Sequence, residues 1–265
     1  MSAPDGTSAP GGTSAPGGTS AWSREELLIC RLADALAGDR HVAVGAASPI
    51  PGAAALLAEE EAPGRMQVTV LHSQRFNHFT DGGRELFDCA GQGRIDSFFL
   101  GGVQIDGAAN INLVGVGDYP QPKKRFPGSF GSAFMYFAVP KVILFREEHS
   151  PRSLVEKVDF ISAPGSAPEG VWRRGGPTLL VTGLAVMAFQ PERKRFRLES
   201  AHPGVTAEEV RAQTGFAFDL PPAVPETPAP TPARLERLRR SIAPKVAEFY
   251  PKFAERVWGV AAGAA

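Results

Sequence analysis

A polar segment without carboxylates occurs in the first third of the chain. Residues 71–78 read Leu-His-Ser-Gln-Arg-Phe-Asn-His, so two imidazoles, a hydroxyl and an amide lie close together. Imidazole titrates near pH 7, so His72 or His78 is suited to act as a general base toward water or a substrate. Each histidine has an alternative interpretation as a packed, hydrogen-bonded side chain. No Asp or Glu lies between Ala62 and Thr80, and nothing nearby completes a Ser–His–acid triad.

Three motifs further along the chain carry a family resemblance. Phe99-Leu-Gly-Gly-Val-Gln-Ile-Asp106 is followed by Ala109-Asn-Ile-Asn112, and then by Gly117-Asp-Tyr-Pro120 through Ala133. His202-Pro-Gly-Val-Thr206 through Phe216 is the third motif. In this order the motifs resemble those of family I CoA-transferase beta subunits, of the glutaconate CoA-transferase type, over about residues 23–245. The resemblance implies a CoA-transferase (NagB/RpiA-like) fold, an open and mostly parallel α/β sheet with helices on both faces.

The same resemblance implies how the protein works. Such a beta subunit pairs with an alpha-type subunit in a heterodimer or higher heteromer, and a coenzyme A thioester is its substrate. No permanently bound cofactor is expected, and the histidines have no metal-ligand spacing. At about 240 ordered residues, the chain has no room for both homologous halves of the enzyme.

The glycine-containing segments are predicted to bind the thioester. Glycine allows backbone N–H groups to approach a ligand closely, and such groups stabilise an oxyanion. The residues predicted to form the oxyanion or CoA site are Gly101, Gly102, Gln104, Gly128, Ser129, Gly131 and Ser132. The family loop reads gly-x-gly-gly-ala, and the additional Phe130 and Ser132 predict a wider or redirected loop. Gly101 and Gly102 also suit a tight strand end.

Two further groups of residues have open assignments. Asn110 and Asn112 flank Ile111 and therefore share one face of a strand, where they either anchor the backbone or line the acyl pocket. Lys123, Lys124 and Arg125 are either a solvated charge run or contacts to CoA phosphates.

The catalytic glutamate of the family is missing from this sequence. Family I transferases use a glutamate after the strand that here spans residues 66–71, in motifs reading ser-glu-asn-gly or glu-ser-gly. Aligning Ser73 with the motif serine places Gln74 at the glutamate position, and other offsets place His72 or Val70 there. A neutral amide is a poor nucleophile and cannot sustain the anhydride step. His72, Gln74 and His78 are therefore the predicted catalytic groups.

Two function hypotheses follow. Relatives with a replaced glutamate decarboxylate a glutaconyl-type CoA ester or hydrolyse a ring C–C bond in steroid degradation. The first hypothesis is therefore hydrolysis, C–C cleavage or decarboxylation of a CoA ester in place of transfer. The second is a non-catalytic subunit that shapes the pocket or binds the CoA ester.

Alternating strand and helix patterns must position these residues. Strands are predicted at residues 41–45, 66–71, 97–100, 139–145, 178–182 and 195–198, the last as a half-exposed edge. Helices are predicted from the capping boxes at Ser23 and Thr206, and at residues 83–90 and 233–241. A turn at residues 49–52 is predicted to lead into a further Ala/Leu-rich helix that ends near Glu61. This alternation independently favours an α/β sheet that is at least partly parallel.

Composition sets the remaining boundaries. Residues 1–22 repeat Thr-Ser-Ala-Pro-Gly-Gly and are predicted to be a disordered tail. Residues 23–220 form the predicted α/β domain. Residues 221–265 form a Pro-rich linker and a C-terminal helical strap, laid over a groove on this chain or on a partner.

Charge and hydropathy exclude some classes of partner. Lys plus Arg and Asp plus Glu are 28 each, so no basic surplus points to nucleic acid or anionic membranes. No apolar run approaches the roughly 18 residues that span a bilayer, and no secretory signal pattern is present, so a cytoplasmic protein is expected.

Overall fold

Eleven strands occur in the computed structural model, which describes residues 22–261. In chain order they are β1 (His41–Val44), β2 (Gln67–Val70), β3 (Ser97–Leu100), β4 (Gln104–Ile105), β5 (Ile111–Asn112), β6 (Gly115–Val116), β7 (Lys124–Arg125), β8 (Lys141–Arg146), β9 (Gly176–Thr182), β10 (Ala185–Gln190) and β11 (Arg195–Ala201). Seven of them form one open sheet in the order β11-β10-β9-β8-β3-β1-β2, and β4–β5 and β6–β7 are separate short pairs. The five strands from β9 to β2 are mutually parallel, and β10 is antiparallel to both of its neighbours. The predicted mostly parallel sheet and the edge position of β11 are confirmed.

Helices cover both faces of this sheet, as predicted. They are α1 (Arg24–Ala35), α2 (Pro49–Glu61), α3 (Gly82–Gly91), α4 (Ser132–Ala138), α5 (Ala207–Gln213), α6 (Pro232–Arg237), a π-helical turn (Leu238–Ile242), α7 (Ala243–Phe249) and α8 (Pro251–Trp258). One core contains side chains of α1, α2, the π-helical turn and α7. The other core contains side chains of α3, α4 and α5. The sheet lies between two apolar layers because its central strands are buried on both faces.

The capping box predicted at Ser23 is confirmed. Its hydroxyl accepts a hydrogen bond from the Glu26 backbone N–H (3.2 Å), and its own N–H donates to the Glu26 carboxylate (2.9 Å). The Thr206 hydroxyl likewise accepts from the Glu209 N–H (3.1 Å) at the start of α5. These bonds satisfy N–H groups that the first helical turn leaves without partners.

The C-terminal segment is more helical than its sequence predicts. The predicted helix ended at Ser241, whereas helical structure continues through α7 and α8 to Trp258. Pro244 and Pro251 suggest helix breaks, but they lie in the first turns of α7 and α8. Proline is tolerated in a first helical turn, because the N–H that it lacks is not needed there for an intrahelical hydrogen bond. Leu238 and Ile242 are completely buried against the same chain.

Several other elements were not predicted, among them α4, β10 and the short strands β6 and β7. Helix α4 begins at Ser132, the last residue of the predicted glycine loop, and β10 follows β9 after a two-residue turn. The predicted tail lies outside the described residues except for Trp22. Within residues 22–261, no helix has the length and apolar character required to cross a membrane.

Candidate functional site

An apolar cleft opens where the parallel strands end. Gly45, Leu71 and Gly101 directly follow β1, β2 and β3, and all three line a cavity of about 320 Å³. A second depression, of about 390 Å³, shares Gly101 and Leu113 with this cavity, so the two are adjacent. Open α/β sheets bind ligands at this edge, beyond the carboxyl ends of their strands. We refer to the two cavities as the acyl cleft and the second depression.

The predicted glycine loop forms one wall of the acyl cleft. Ser129, Gly131 and Ser132 line it, and Gly128 has a φ of +106°, a conformation that favours glycine. A Cβ atom on Gly131 would lie 2.1 Å from the Phe87 ring, so any larger residue here would displace that ring. The Ser132 N–H donates to Ser129 O (2.8 Å), whereas the buried Ser132 hydroxyl has no hydrogen-bond partner in the described part of the chain.

Gly101 and Gly102 line the second depression, and the packing at both is tight. A Cβ atom on Gly101 would lie 2.9 Å from Phe145 O, and one on Gly102 would lie 2.5 Å from the Ile111 side chain. The two glycines therefore permit close packing at the end of β3, and they also bring the backbone to the surface of the depression.

The amide side chains of Gln104 and Asn112 are bonded to each other. The buried Asn112 amide donates to Gln104 Oε1 (2.7 Å) and to Gly115 O (2.7 Å). Its oxygen accepts from the Val114 N–H (3.0 Å), and Gln104 Oε1 also accepts from the Asp159 N–H (3.0 Å). Neither residue lines the acyl cleft or the second depression.

Asn110 is also engaged within the protein. Its side-chain amide donates to the Asp106 carboxylate (3.0 Å), and its oxygen accepts from the Gly165 N–H (3.1 Å). Asn110 and Asn112 therefore have the contacts of backbone anchors, one of the two interpretations open from the sequence.

The basic residues Lys123, Lys124 and Arg125 are exposed. Lys124 and Arg125 form β7, and the Lys124 ammonium lies 5.2 Å from the centroid of the Phe126 ring. None of the three lines the acyl cleft or the second depression.

His72 and Gln74 lie beyond the carboxyl end of β2. Both are exposed, and the His72 ring is stacked on Tyr250 with centroids 5.0 Å apart and an interplanar angle of 8°. The Tyr250 hydroxyl accepts a hydrogen bond from the Ser48 N–H (2.9 Å), and Ser48 lines both cavities. The C-terminal segment thus connects His72 to the rim of the acyl cleft.

His78 lies at the opposite ends of the strands, near the amino ends of β1 and β2. It lines a third cavity together with His41 and Gln67, the first residues of β1 and β2. Glu85 lines the same cavity, and its carboxylate accepts from the Asp81 N–H (3.2 Å) and the Thr80 N–H (2.7 Å). These backbone hydrogen bonds lower the pKa of Glu85. The structure therefore does not bring His78 together with His72.

Arg146 and Glu147 line the second depression and were missed by the sequence analysis. Arg146 donates to Gly102 O (3.2 Å) and to Glu148 Oε2 (2.6 Å). Burial alone would raise the pKa of Glu148, but hydrogen bonds from Ser150, Arg146 and Arg152 outweigh this effect and lower it to about 2. The sequence signal that could have identified Arg146 and Glu147 was their position at the end of β8, since residues at the carboxyl end of a buried parallel strand lie where α/β sheets bind ligands.

The buried histidines His149 and His202 form hydrogen bonds in the protein interior. His149 has its ring nitrogens 2.7 Å from Thr182 Oγ1 and 2.9 Å from Thr214 Oγ1. The His202 ring contacts Thr227 Oγ1 (2.9 Å) and Thr182 O (2.9 Å). Burial lowers the pKa of both histidines, that of His149 to about 4. In the described residues, no group of three or more His, Cys, Asp or Glu is arranged to hold a metal ion.

An open, mostly parallel sheet with a glycine-lined cleft at the carboxyl ends of its strands is the architecture in which α/β proteins bind ligands. The chain belongs to the coenzyme A transferase family, whose sequence model matches residues 17–213. The resemblance identified from the three motifs is thereby confirmed.

Two relatives by sequence have different reactions in their names. One is a subunit of the 3-oxoadipate CoA-transferase of Pseudomonas knackmussii, 38% identical over 153 residues, which cover 56% of this chain and 58% of the relative. The cholesterol ring-cleaving hydrolase IpdB subunit of Rhodococcus jostii is 30% identical over 166 residues, 61% of this chain and 65% of the relative. The matched region thus spans about three fifths of each relative.

A solved structure supports the fold. The crystal structure of glutaconate coenzyme A-transferase from Acidaminococcus fermentans is similar with a TM-score of 0.75 at 24% identity. The match covers 86% of this chain and 97% of that chain. The predicted CoA-transferase fold is therefore confirmed.

Proposed function

We propose that this chain is the beta-type subunit of a heteromeric enzyme that acts on acyl-CoA thioesters. Family membership supports the substrate class, and the transferase relative is named as one subunit of its enzyme, which supports an alpha-type partner. The acyl cleft, with backbone of Gly101 and Gly131 at its surface, is the proposed place of the thioester. The substrate is the CoA ester itself, and no resident cofactor is part of the proposal.

The proposed reaction is hydrolysis, C–C cleavage or decarboxylation instead of transfer. The observation that carries this proposal is Gln74 at the expected glutamate position, in a segment without Asp or Glu. A primary amide cannot attack the thioester to form the anhydride. In the hydrolytic form, the His72 imidazole accepts a proton from water as the water oxygen bonds to the thioester carbonyl carbon. The C–S bond then breaks, and the CoA thiolate leaves and takes up the proton from His72. The hydrolase name of the IpdB relative supports this class of reaction.

Glu147 favours a second candidate, an ordinary transferase with a relocated nucleophile. It is an exposed carboxylate that lines the second depression, next to the acyl cleft. A carboxylate there would attack the thioester carbonyl, release CoA thiolate and leave a mixed anhydride on Glu147. The thiolate would then attack the Glu147 carbonyl and release the first acyl group as its carboxylate.

One experiment separates the two candidates. The chain co-purified with its alpha-type partner is incubated with a panel of acyl-CoA esters, with and without acetate as acceptor, and the products are identified by mass spectrometry. Borohydride is then added, and the chain is mapped for a reduced or CoA-modified residue. We expect free CoA, a cleaved acyl chain or CO₂, without acetyl-CoA and without a trapped residue. A trapped adduct on Glu147 would establish the transferase candidate.

Matched variants sharpen the result. Gln74→Glu restores a carboxylate at the family position, and we expect a borohydride-trapped residue 74 in this variant alone. Glu147→Gln is expected to retain activity. If His72→Ala and Gln74→Ala both leave the rate unchanged, the chemistry belongs to the partner, and this chain is the pocket-shaping subunit.

A further inference from the structure

We infer that the substrate's acyl group is apolar and has no second carboxylate, which removes decarboxylation from the proposed reactions and leaves hydrolysis or C–C cleavage; this inference rests on the proposed function. Every described residue that lines the acyl cleft is uncharged. The side chains of Leu71, Leu86, Phe98 and Met135 form much of its surface. Burial of an apolar chain against such side chains stabilises the complex by about 0.8 kcal/mol per methylene, which corresponds to roughly fourfold in affinity.

The polar groups of the acyl cleft are neutral. Ser48, Ser129 and Ser132 are the residues with hydroxyl side chains that line it. The Ser48 N–H already donates to Tyr250, and the Ser132 N–H already donates to Ser129 O. Hydroxyl groups can hydrogen-bond a neutral thioester oxygen, but they cannot neutralise a carboxylate that has lost its water.

The cation that lines the second depression is already paired. Arg146 lines the second depression rather than the acyl cleft, and its guanidinium lies 2.6 Å from a Glu148 carboxylate oxygen. The exposed Glu147 adds a negative charge to the same depression. A second carboxylate on the acyl chain would therefore meet one anion directly and would have to displace another from Arg146.

Aromatic side chains surround the mouth of the acyl cleft. Phe130 is 87% exposed with a φ of +43°, and its ring centroid lies 5.4 Å from that of Phe87. Phe134, also exposed, lies 5.8 Å from Phe87. Both Phe87 and Phe130 line the cleft. An apolar acyl chain that enters here removes exposed aromatic surface from water, whereas a terminal carboxylate gains nothing from these rings.

The test compares two ligands that differ in one terminal group. The co-purified complex is titrated calorimetrically with CoA and with the pentanoyl and glutaryl analogues in which a methylene replaces the thioester sulfur, so that neither is turned over. We expect the pentanoyl analogue to bind roughly tenfold or more tightly than the glutaryl analogue. Equal affinities, or tighter binding of the glutaryl analogue, would overturn the inference and leave the proposed function standing. No binding of any of the three would contradict the proposed function itself.

A charge-introducing variant tests the same point from the other direction. Leu113 is half-buried and lines both cavities, so Leu113→Lys places a flexible cation in the cleft. We expect this variant to lose the preference for the pentanoyl analogue, while Leu113→Met retains it. Circular dichroism establishes that both variants are folded. A folded Leu113→Lys variant with the wild-type preference would contradict the inferred role of charge, and the wild-type comparison remains decisive if the variant does not fold.

Discussion

Ser73 determines the direction of the segment that follows β2. Its buried hydroxyl accepts hydrogen bonds from the N–H groups of Arg75 (3.1 Å) and Phe76 (3.0 Å), which forms a tight turn. The chain then runs back along the edge strand, where the Val70 N–H donates to Phe76 O (2.9 Å). His72 therefore stays at the carboxyl end of the sheet, while His78 reaches the amino end.

This separation gives the first prediction. We expect His72→Ala to lower kcat by roughly 10²–10⁴ with little change in CoA-ester binding, because a general base contributes about that much to a rate. His78→Ala removes the same group at the opposite edge and is expected to lose less than twofold. Steady-state kinetics of the complex with the ester identified in the product panel measures both variants. A larger loss in His78→Ala than in His72→Ala would contradict the assignment of the base.

At the scale of elements, the C-terminal segment is held by ion pairs to the first two helices. Arg234 pairs with Glu61 (2.7 Å), Arg239 pairs with the buried Glu26 (2.8 Å), and Lys245 pairs with Glu60. Several pairs along one contact make a network, which contributes more than isolated surface pairs. The segment passes the rim of the acyl cleft, where Tyr250 contacts His72 and Ser48.

The second prediction concerns this contact. Tyr250→Phe keeps the ring on His72 but removes the acceptor of the Ser48 N–H, so we expect a loss of about 1 kcal/mol in the free energy of unfolding. Urea unfolding measures this loss, and hydrogen exchange is expected to show faster exchange at the Ser48 amide. Tyr119→Phe, at a tyrosine that is 56% exposed, is the matched control and should be neutral. Unchanged exchange at Ser48 in Tyr250→Phe would show that the hydroxyl does not hold this loop.

At the scale of the whole molecule, neutral histidines lie in the interior beside β9. His149 and His202 both bond to Thr182, the last residue of that strand. Burial favours the neutral form of each imidazole, so acidification acts on the packing of the whole α/β unit and not on the cleft alone.

The third prediction is therefore a loss of stability in acid. The pKa of His149 is about 4 when folded, against 6.5 ordinarily, so the unfolded chain binds more protons between these values. The contribution of His149 to the free energy of unfolding is fully present above pH 6.5 and is lost progressively toward pH 4. The loss reaches about 2 kcal/mol at pH 5. Urea unfolding at several pH values should show a shallower decline in His149→Gln, while His78→Gln keeps the wild-type slope. A wild-type slope in His149→Gln would contradict this account.

The family and the sheet class could both be predicted from the sequence, whereas the replacement of the family glutamate by Gln74 stays a prediction. Local signals carried these results: the Ser23 capping box, the alternating strand and helix patterns, and motifs whose order lies along the chain. Helix α4 escaped prediction because the glycine loop before it dominates the local pattern. The helices after Ser241 escaped because prolines suggest breaks without showing their position in a turn.

Which groups share the acyl cleft became known from the tertiary structure alone. One turn separates His72 from His78, the side chains of Asn110 and Asn112 are engaged within the protein, and Glu147 lies at the second depression. The contact of Tyr250 with Ser48 joins residues 202 positions apart. Such neighbours depend on how distant elements pack against one another, and packing is set by the summed burial of many side chains rather than by any local pattern.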